Sequence, residues 1–302
     1  RGLGDVYKRQ VLRGDRMKVR EFNLINEKGQ KFSLMDIENF SLLTDPDGLG
    51  YTYSNSYTKV GEVFINNLKV QEQTQISGIC NFLYYENYTN LVNFIESSKS
   101  LRLNYKIPLK DGSQKEYFKN IEIQSLGKTE KDQTGVLSCP ITFDMISLWY
   151  EEKEYTYDMS AEDNEVRWDF RWGSRFANYN SRKLEFNNTG HTLAPIYLEI
   201  DGAISNPEII VTDSNDNVLF DLLIEIEIEQ YEKFIYSSVD GDLRIAKQNI
   251  DGTYENLFKQ AYIDITKNNI FKLPLGSSNI TIQADDEVVS AKLNIYPYYR
   301  SI

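Results

Sequence analysis

Over residues 87–149 the hydrophobic pattern changes from helix period to strand period. Tyr88, Leu91, Val92 and Ile95 fall at i, i+3, i+4 and i+7, which puts them on one face of a helix that must be buried. Leu101, Leu103, Tyr105 and Ile107 then alternate with polar residues, Lys110-Asp111-Gly112 supplies a turn, and 117–125 and 136–143 read as further strands. One helix packed on a small antiparallel sheet is expected here. Upstream, 20–24 and 31–34 flank Asn26-Glu27-Lys28-Gly29-Gln30 as a first hairpin, and Thr44-Asp45-Pro46-Asp47-Gly48-Leu49-Gly50 reads as a loop. From 51 to 85 the pattern is long strands with weak breaks at Gly61, Asn66-Asn67 and Gly78. Val60, Val63, Ile65, Leu68, Val70, Ile76 and Ile79 are the core residues expected from it.

Between 127 and 135 lies a polar hairpin tip carrying Lys128, Glu130, Lys131 and Asp132. Such a tip is ordinarily solvated, but it is also placed to lie on a neighbouring subunit. Residues 151–182 turn charged and aromatic with few aliphatics, as expected of a boundary between domains. Inside that stretch Arg167-Trp168-Asp169-Phe170-Arg171-Trp172 alternates strictly, so a strand would show Trp168, Phe170 and Trp172 on one face. The plainer expectation is a strand covering the second core; the sharper one is a stacking platform for a sugar or a protein partner, since Trp and Arg are enriched at interface anchors. From 183 onward ten strand-length runs are separated by turns such as Asp240-Gly241 and Asp251-Gly252, the spacing of a β-sandwich or jelly roll. Within 218–229, read as one strand, Ile224, Ile226 and Ile228 face one way and Glu225, Glu227 and Glu229 the other.

The fold class expected is therefore mainly β: an N-terminal β domain with one α-helix over 17–150, a linker region over 151–182, and a C-terminal β-sandwich over 183–302. A chain of 302 residues with 41% hydrophobic content is long enough for two cores. Residues 1–16 fit neither domain and lack the apolar core of a secretory signal. They read as a non-native leader, adaptor read-through ahead of Met17. The formal charge is −12, and the cations are interleaved with carboxylates, which argues against a nucleic-acid-binding surface. No apolar run approaches the roughly 20 residues a membrane helix needs.

Chemistry finds little to stand on. His191 is the only histidine, in Thr189-Gly190-His191-Thr192, and no G-x-S-x-G elbow accompanies it. Cys80 and Cys139 sit in apolar, strand-like contexts and read as buried free thiols rather than a disulfide or metal ligands. Asp213-Ser214-Asn215-Asp216-Asn217 begins like a calcium loop, yet Val218 stands where the sharp-turn glycine belongs, so it reads as a hairpin turn. Acidic pairs such as Glu151-Glu152 and Asp285-Asp286 carry no information in a chain with 45 acids. No catalytic residue, cofactor site or metal site is expected. The interaction candidates are Trp168, Phe170, Trp172, Lys128, Glu130 and Lys131.

Taken in order, several stretches resemble the distal tail proteins of siphophages that infect Gram-positive hosts: Gly48-Leu49-Gly50, the helix Tyr88-Thr89-Asn90-Leu91-Val92-Asn93-Phe94-Ile95 after Tyr84-Tyr85, and Leu101-Arg102-Leu103-Asn104-Tyr105. Lys183-Leu184-Glu185-Phe186-Asn187-Asn188-Thr189-Gly190, Ala194-Pro195-Ile196 and Phe271-Lys272-Leu273-Pro274-Leu275-Gly276 look like that family's second half. The resemblance implies a structural virion component at the tail tip, assembled in the host cytoplasm. In it the N-terminal domains form a ring, usually a hexamer, between the tail tube protein and the tail-associated or tail-tip protein, and a galectin-like C-terminal sandwich sits outside and can carry receptor-binding proteins. Neither membrane insertion nor nucleic-acid binding is implied, and 127–135 becomes a candidate ring-contact arm. The alternative is a carbohydrate-binding module of a phage adhesion device recognising host wall polysaccharide.

Overall fold

The computed structural model describes residues 20–36, 41–158, 181–261, 270–285 and 290–302. The chain divides into two compact units between Tyr150 and Glu151. In the first, the strands are β1 (Glu21–Asn26), β2 (Lys31–Ser33), β3 (Met35–Asp36), β4 (Ser41–Asp47), β5 (Tyr53–Val60), β6 (Val63–Gln71), β7 (Gln75–Phe82), β8 (Leu101–Pro108), β9 (Gln114–Leu126), β10 (Leu137–Met145) and β11 (Trp149–Tyr150), with helix α1 (Tyr85–Glu96) between β7 and β8.

Eight of these strands run in the order β2-β1-β8-β9-β10-β7-β4-β3, every pairing antiparallel. The path returns on itself. Residues 31–36 pair with β1 through their first half and with β4 through their second, and Leu34 bridges the two by donating its N–H to the Phe22 carbonyl (2.8 Å) and accepting from Leu43 N–H (2.7 Å). The enclosed side holds Phe22, Leu24, Leu34, Leu43, Ile76, Phe82, Leu103, Ile141, Phe143 and Trp149, all essentially without exposure. Helix α1 contributes Leu91, fully buried, and packs Tyr88 edge-on to Phe82 at 6.1 Å between ring centres, as the 3.6-residue pattern requires.

Local chemistry explains the turns. Asn26 Oδ1 accepts from Lys28 N–H and Gln30 N–H, and Gly29 takes φ of +75° to close the first hairpin. Gly48 has φ of +82° and lies so close to the Gln75 carbonyl that any Cβ would collide with it. That approach lets Leu49 offer its carbonyl to the indole N–H of buried Trp149 at 3.1 Å. Cys80 and Cys139 stand directly opposite each other on β7 and β10 as buried free thiols, and burial pushes Cys80 up to about 12.

The second unit contains β12 (Lys153–Asp158), β13 (Ser181–Asn188), β14 (Ile196–Asp201), β15 (Ile204–Ser205), β16 (Glu208–Asp213), β17 (Val218–Leu223), β18 (Glu227–Ile228), β19 (Lys233–Ser237), β20 (Arg244–Gln248), β21 (Tyr254–Asn256), β22 (Gly276–Gln283) and β23 (Ser290–Ile295). A six-stranded sheet, β12-β23-β14-β19-β20-β21, and a four-stranded one, β13-β22-β16-β17, turn their apolar faces to a common core. Ile196, Leu198, Ile200, Phe234, Tyr236, Leu293 and Ile295 come from the first sheet; Phe186, Ile209, Val211, Phe220, Leu222, Ile280 and Ile282 come from the second. This is a β-sandwich. Strand β12 lies in the stretch read from sequence as linker. The run 218–229 is not one strand: β17 stops at Leu223, Ile224 bridges Ala261, and β18 pairs with β15. The facing nonetheless follows the alternation, with Ile224 and Ile228 buried and Glu225, Glu227 and Glu229 exposed or nearly so.

A cationic side chain is buried in the first unit as well. Lys119, on β9, is 3% exposed, and its Nζ lies 5.0 Å from the centre of the Trp149 ring. Burial lowers its pKa from 10.5 to about 8. Below pH 8 the folded chain carries the cost of a buried ammonium; between about 8 and 10.5 the folded form has released a proton that the unfolded form still holds, so this group adds stability as pH rises through that window. In urea titrations the unfolding free energy of the native chain should therefore gain on that of Lys119→Met between pH 8 and 10.5. A constant difference across that range would show that Lys119 is solvated.

Candidate assembly surface

Strands β5 and β6 form a two-stranded ribbon of their own, paired among the described residues with each other only. Gly61, with φ of +61° at the first of the two turn residues, closes the hairpin between Val60 and Val63. From Ser54 to Val70 every residue is exposed.

The register sorts the ribbon into two unlike faces. Val60 opposes Val63, Thr58 opposes Ile65, Ser56 opposes Leu68 and Ser54 opposes Val70, whereas Lys59, Tyr57, Asn55 and Tyr53 oppose Phe64, Asn66, Lys69 and Gln71. Ile65 and Leu68 are three residues apart, an odd spacing that would place them on opposite faces of a regular strand. The bulge at Asn67 absorbs the extra residue and brings Leu68 and Val70 into phase with Val63 and Ile65. One face is thus aliphatic and hydroxylic: Val60, Val63, Ile65, Leu68 and Val70 beside Ser54, Ser56 and Thr58. Its apolar members are 53, 61, 51, 58 and 48% exposed. The other face is aromatic and cationic, with Lys69 Nζ 4.1 Å from the Tyr53 ring centre and Lys59 paired to Glu62 at 3.5 Å.

These five residues were expected in the core, and the structure places them on the surface. Alternation identifies an apolar strand face, but it does not say that the same chain supplies the layer covering it. Of the seven expected core residues, Ile76 is fully buried, and Ile79 lies on the outer side of β7 with 36% exposure.

The residues nominated at 127–135 behave differently. The Tyr85 hydroxyl donates to Glu130 Oε2 at 3.0 Å, and Lys131 Nζ lies 4.6 Å from the Tyr85 ring centre, so this tip folds back onto the first residue of α1; Lys128 is exposed. Asp132 closes the turn by accepting from Thr134 Oγ1, Thr134 N–H and Val136 N–H, and these bonds, the Thr134 hydroxyl first, hold its carboxyl below the ordinary range. Trp168, Phe170 and Trp172 lie outside the described residues.

The chemical candidates resolve into turns and packing. The Asp213 carboxylate accepts from Asn217 Nδ2, Asn217 N–H and Asn215 N–H, which holds it low and shapes the β16–β17 turn. His191 packs edge-on to Tyr299 at 5.4 Å between ring centres. Among the described residues no cluster of His, Cys, Asp and Glu is arranged to hold a metal, and no helix is long and apolar enough to cross a membrane.

Among the described residues nothing packs on this ribbon face, so it contributes little to the stability of the chain. In dilute solution Ile65→Asp and Leu68→Asp should change the unfolding free energy by no more than about 0.5 kcal/mol, whereas Ile76→Ala, at a buried position on the next strand, should cost about 2–5 kcal/mol. Denaturant titration distinguishes the two. A loss of several kcal/mol at Ile65 would return that residue to the core.

Residues 21–146 match the family model for the distal tail protein, N-terminal domain. Among solved structures, the chain is similar to one in the phage P2 baseplate in its activated conformation with calcium, at 15% identity and a TM-score of 0.63, covering 94% of this chain and 100% of that one. It is also similar to the Dit protein of phage SPP1, described as a paradigm of the hub adsorption apparatus in phages infecting Gram-positive hosts, at 12% identity and a TM-score of 0.53, covering 92% and 98%. No curated protein matches it significantly. What this chain shares with a known family is therefore the N-terminal domain of the distal tail proteins, over residues 21–146.

Proposed function

We propose that this protein is the repeating subunit of a closed ring, a hexamer on the family resemblance, that forms the hub at the distal end of a phage tail. The ring joins the tail tube protein on one side to the tail-associated or tail-tip protein on the other, and the C-terminal sandwich is available to carry receptor-binding proteins. Assembly takes place in the host cytoplasm. The observation that carries the reading is the aliphatic face of the β5–β6 ribbon. A monomeric protein rarely leaves an apolar strand face of this extent in water, and a two-stranded ribbon is marginal until something packs on it. The likeness to a baseplate chain and to a hub protein supports a second copy as that something.

On this reading the protein works through the surfaces it presents, and a chemical step has no part in it. The ring domain is the first unit, and along the sequence the boundary between the domains falls after Tyr150.

The test is the mass of the full chain in solution over a wide concentration range, alone and with the tail tube and tail-tip proteins, followed by negative-stain imaging. A closed ring with a discrete subunit number is expected, and Leu68→Asp should return it to monomer. A native chain that stays monomeric at every concentration, with both partners present, would overturn the proposal.

A further inference from the structure

The six-stranded sheet of the second unit turns one face to the sandwich core and the other away from it. On the outer face, register places Tyr197 in one row with Arg244, Glu199 in the next with Ile235 and Ala246, and Asp201, Lys233 and Gln248 in the third with Tyr254. Tyr197 and Tyr254 therefore start from opposite corners of the block, and their side chains lean inward. The Arg244 guanidinium lies 5.1 Å from the centre of the Tyr254 ring, and the Tyr197 phenol lies within electrostatic reach of both. In the middle row Ile235 and Ala246 are buried, although neither belongs to the sandwich core.

The polar side chains around the two rings are already held in place. The Tyr197 hydroxyl donates to Glu199 Oε2 at 3.3 Å, and Lys233 bridges Glu199 and Asp201, its Nζ 3.2 Å from Asp201 Oδ1. Burial and the adjoining Glu199 push the Tyr197 phenol up to about 12, so it keeps its proton. On the far side Arg244 pairs with Asp242, and Gln248 Nε2 donates to the Tyr254 hydroxyl at 3.3 Å. The five charged side chains remain 24 to 45% exposed and Tyr254 54% exposed, so all can be reached from solvent. We infer that this face binds a neutral polysaccharide, the C–H face of one sugar ring stacking on Tyr254 and neighbouring hydroxyls bonding to Arg244, Glu199 and Lys233.

The chemistry of the face selects this occupant. A pyranose presents an apolar side of slightly positive C–H groups and a rim of hydroxyls. The first suits the negative face of a tyrosine ring; the second needs donors and acceptors together, and hydrogen bonds to charged groups are the stronger kind. Because ion pairs fix these side chains beforehand, little of their rotamer freedom is lost on binding. A protein partner fits less well: it would take two ion pairs out of water, at a cost that can exceed their attraction, and Asp, Glu and Lys are depleted from the centres of protein interfaces. An anionic polymer fits less well too, since Glu199, Asp201 and Asp242 outnumber Lys233 and Arg244 in a chain of net charge −12. The site lies wholly in the second unit and stands or falls independently of the ring; where copies assemble, several such sites on one particle add by avidity.

The experiment measures binding of the full chain to immobilised neutral oligosaccharides of glucose, galactose, rhamnose and N-acetylglucosamine, with heparin and poly(glycerol phosphate) as anionic probes. At least one neutral series should bind, and both anionic probes should fail. Tyr254→Ala should weaken that binding about fivefold, and Glu199→Gln by a similar factor, whereas Tyr254→Phe, which keeps the ring, should retain it; all three variants should keep the native thermal transition. Binding to no neutral probe, preference for an anionic one, or binding unchanged by Tyr254→Ala would overturn the site and leave the ring reading standing. Assembly lost in Tyr254→Ala, with no glycan bound by the native chain, would overturn it as well and make this face a protein contact.

Discussion

Five aliphatic side chains held in water on one side of a two-stranded ribbon are the constraint on which the rest of this structure turns. Val60, Val63, Ile65, Leu68 and Val70 are brought into line by a bulge at Asn67, and aligning them would have no benefit for a strand meant to stay solvated. Apolar surface returned to water costs about 25 cal/mol per Å², and this face keeps its five aliphatic residues 48 to 61% exposed. The remainder of the first unit is built in the opposite way, with its sheet path closed on itself and its interior filled by Phe22, Phe82, Phe143 and Trp149. On the proposed reading, the apolar face left open is the one that a second copy completes.

Seen in this way, each unit divides its surfaces between stability and display. In the first, the enclosed side supplies stability, and the outer side of β4, β7 and β10 and the ribbon remain for display. The second is a sandwich whose two apolar faces meet in a common core, with turns such as Asp213–Asn217 held by side-chain caps. Among the described residues, the candidates for chemistry at Asp213, His191, Cys80 and Cys139 are held in turn closure and packing.

Much of the architecture was legible in the chain. The single described helix followed from the spacing of Tyr88, Leu91, Val92 and Ile95, and the first hairpin followed from the turn chemistry of Asn26 to Gln30. The sandwich followed from short runs separated by Asp-Gly turns. The ribbon face departs from the core expected of it because periodicity reports which side chains share a face, and burial is decided by what lies opposite. One signal for it was present: Ile65 and Leu68 at odd spacing around Asn66-Asn67 announce a bulge, and bulges gather at edges and at places where a strand leaves its sheet. The contacts of Glu130 and Lys131 with Tyr85 had no signal in the sequence.

The central claim is that the ribbon is completed by a second copy, and amide hydrogen exchange over 53–71 addresses it most directly. Measured on the dilute monomer and on the assembled form, the backbone amides that pair β5 with β6 should exchange quickly in the first and become strongly protected in the second, while β7 and β10 stay protected in both. Exchange at 53–71 that is equally fast in monomer and ring would contradict the account and place the subunit contact elsewhere.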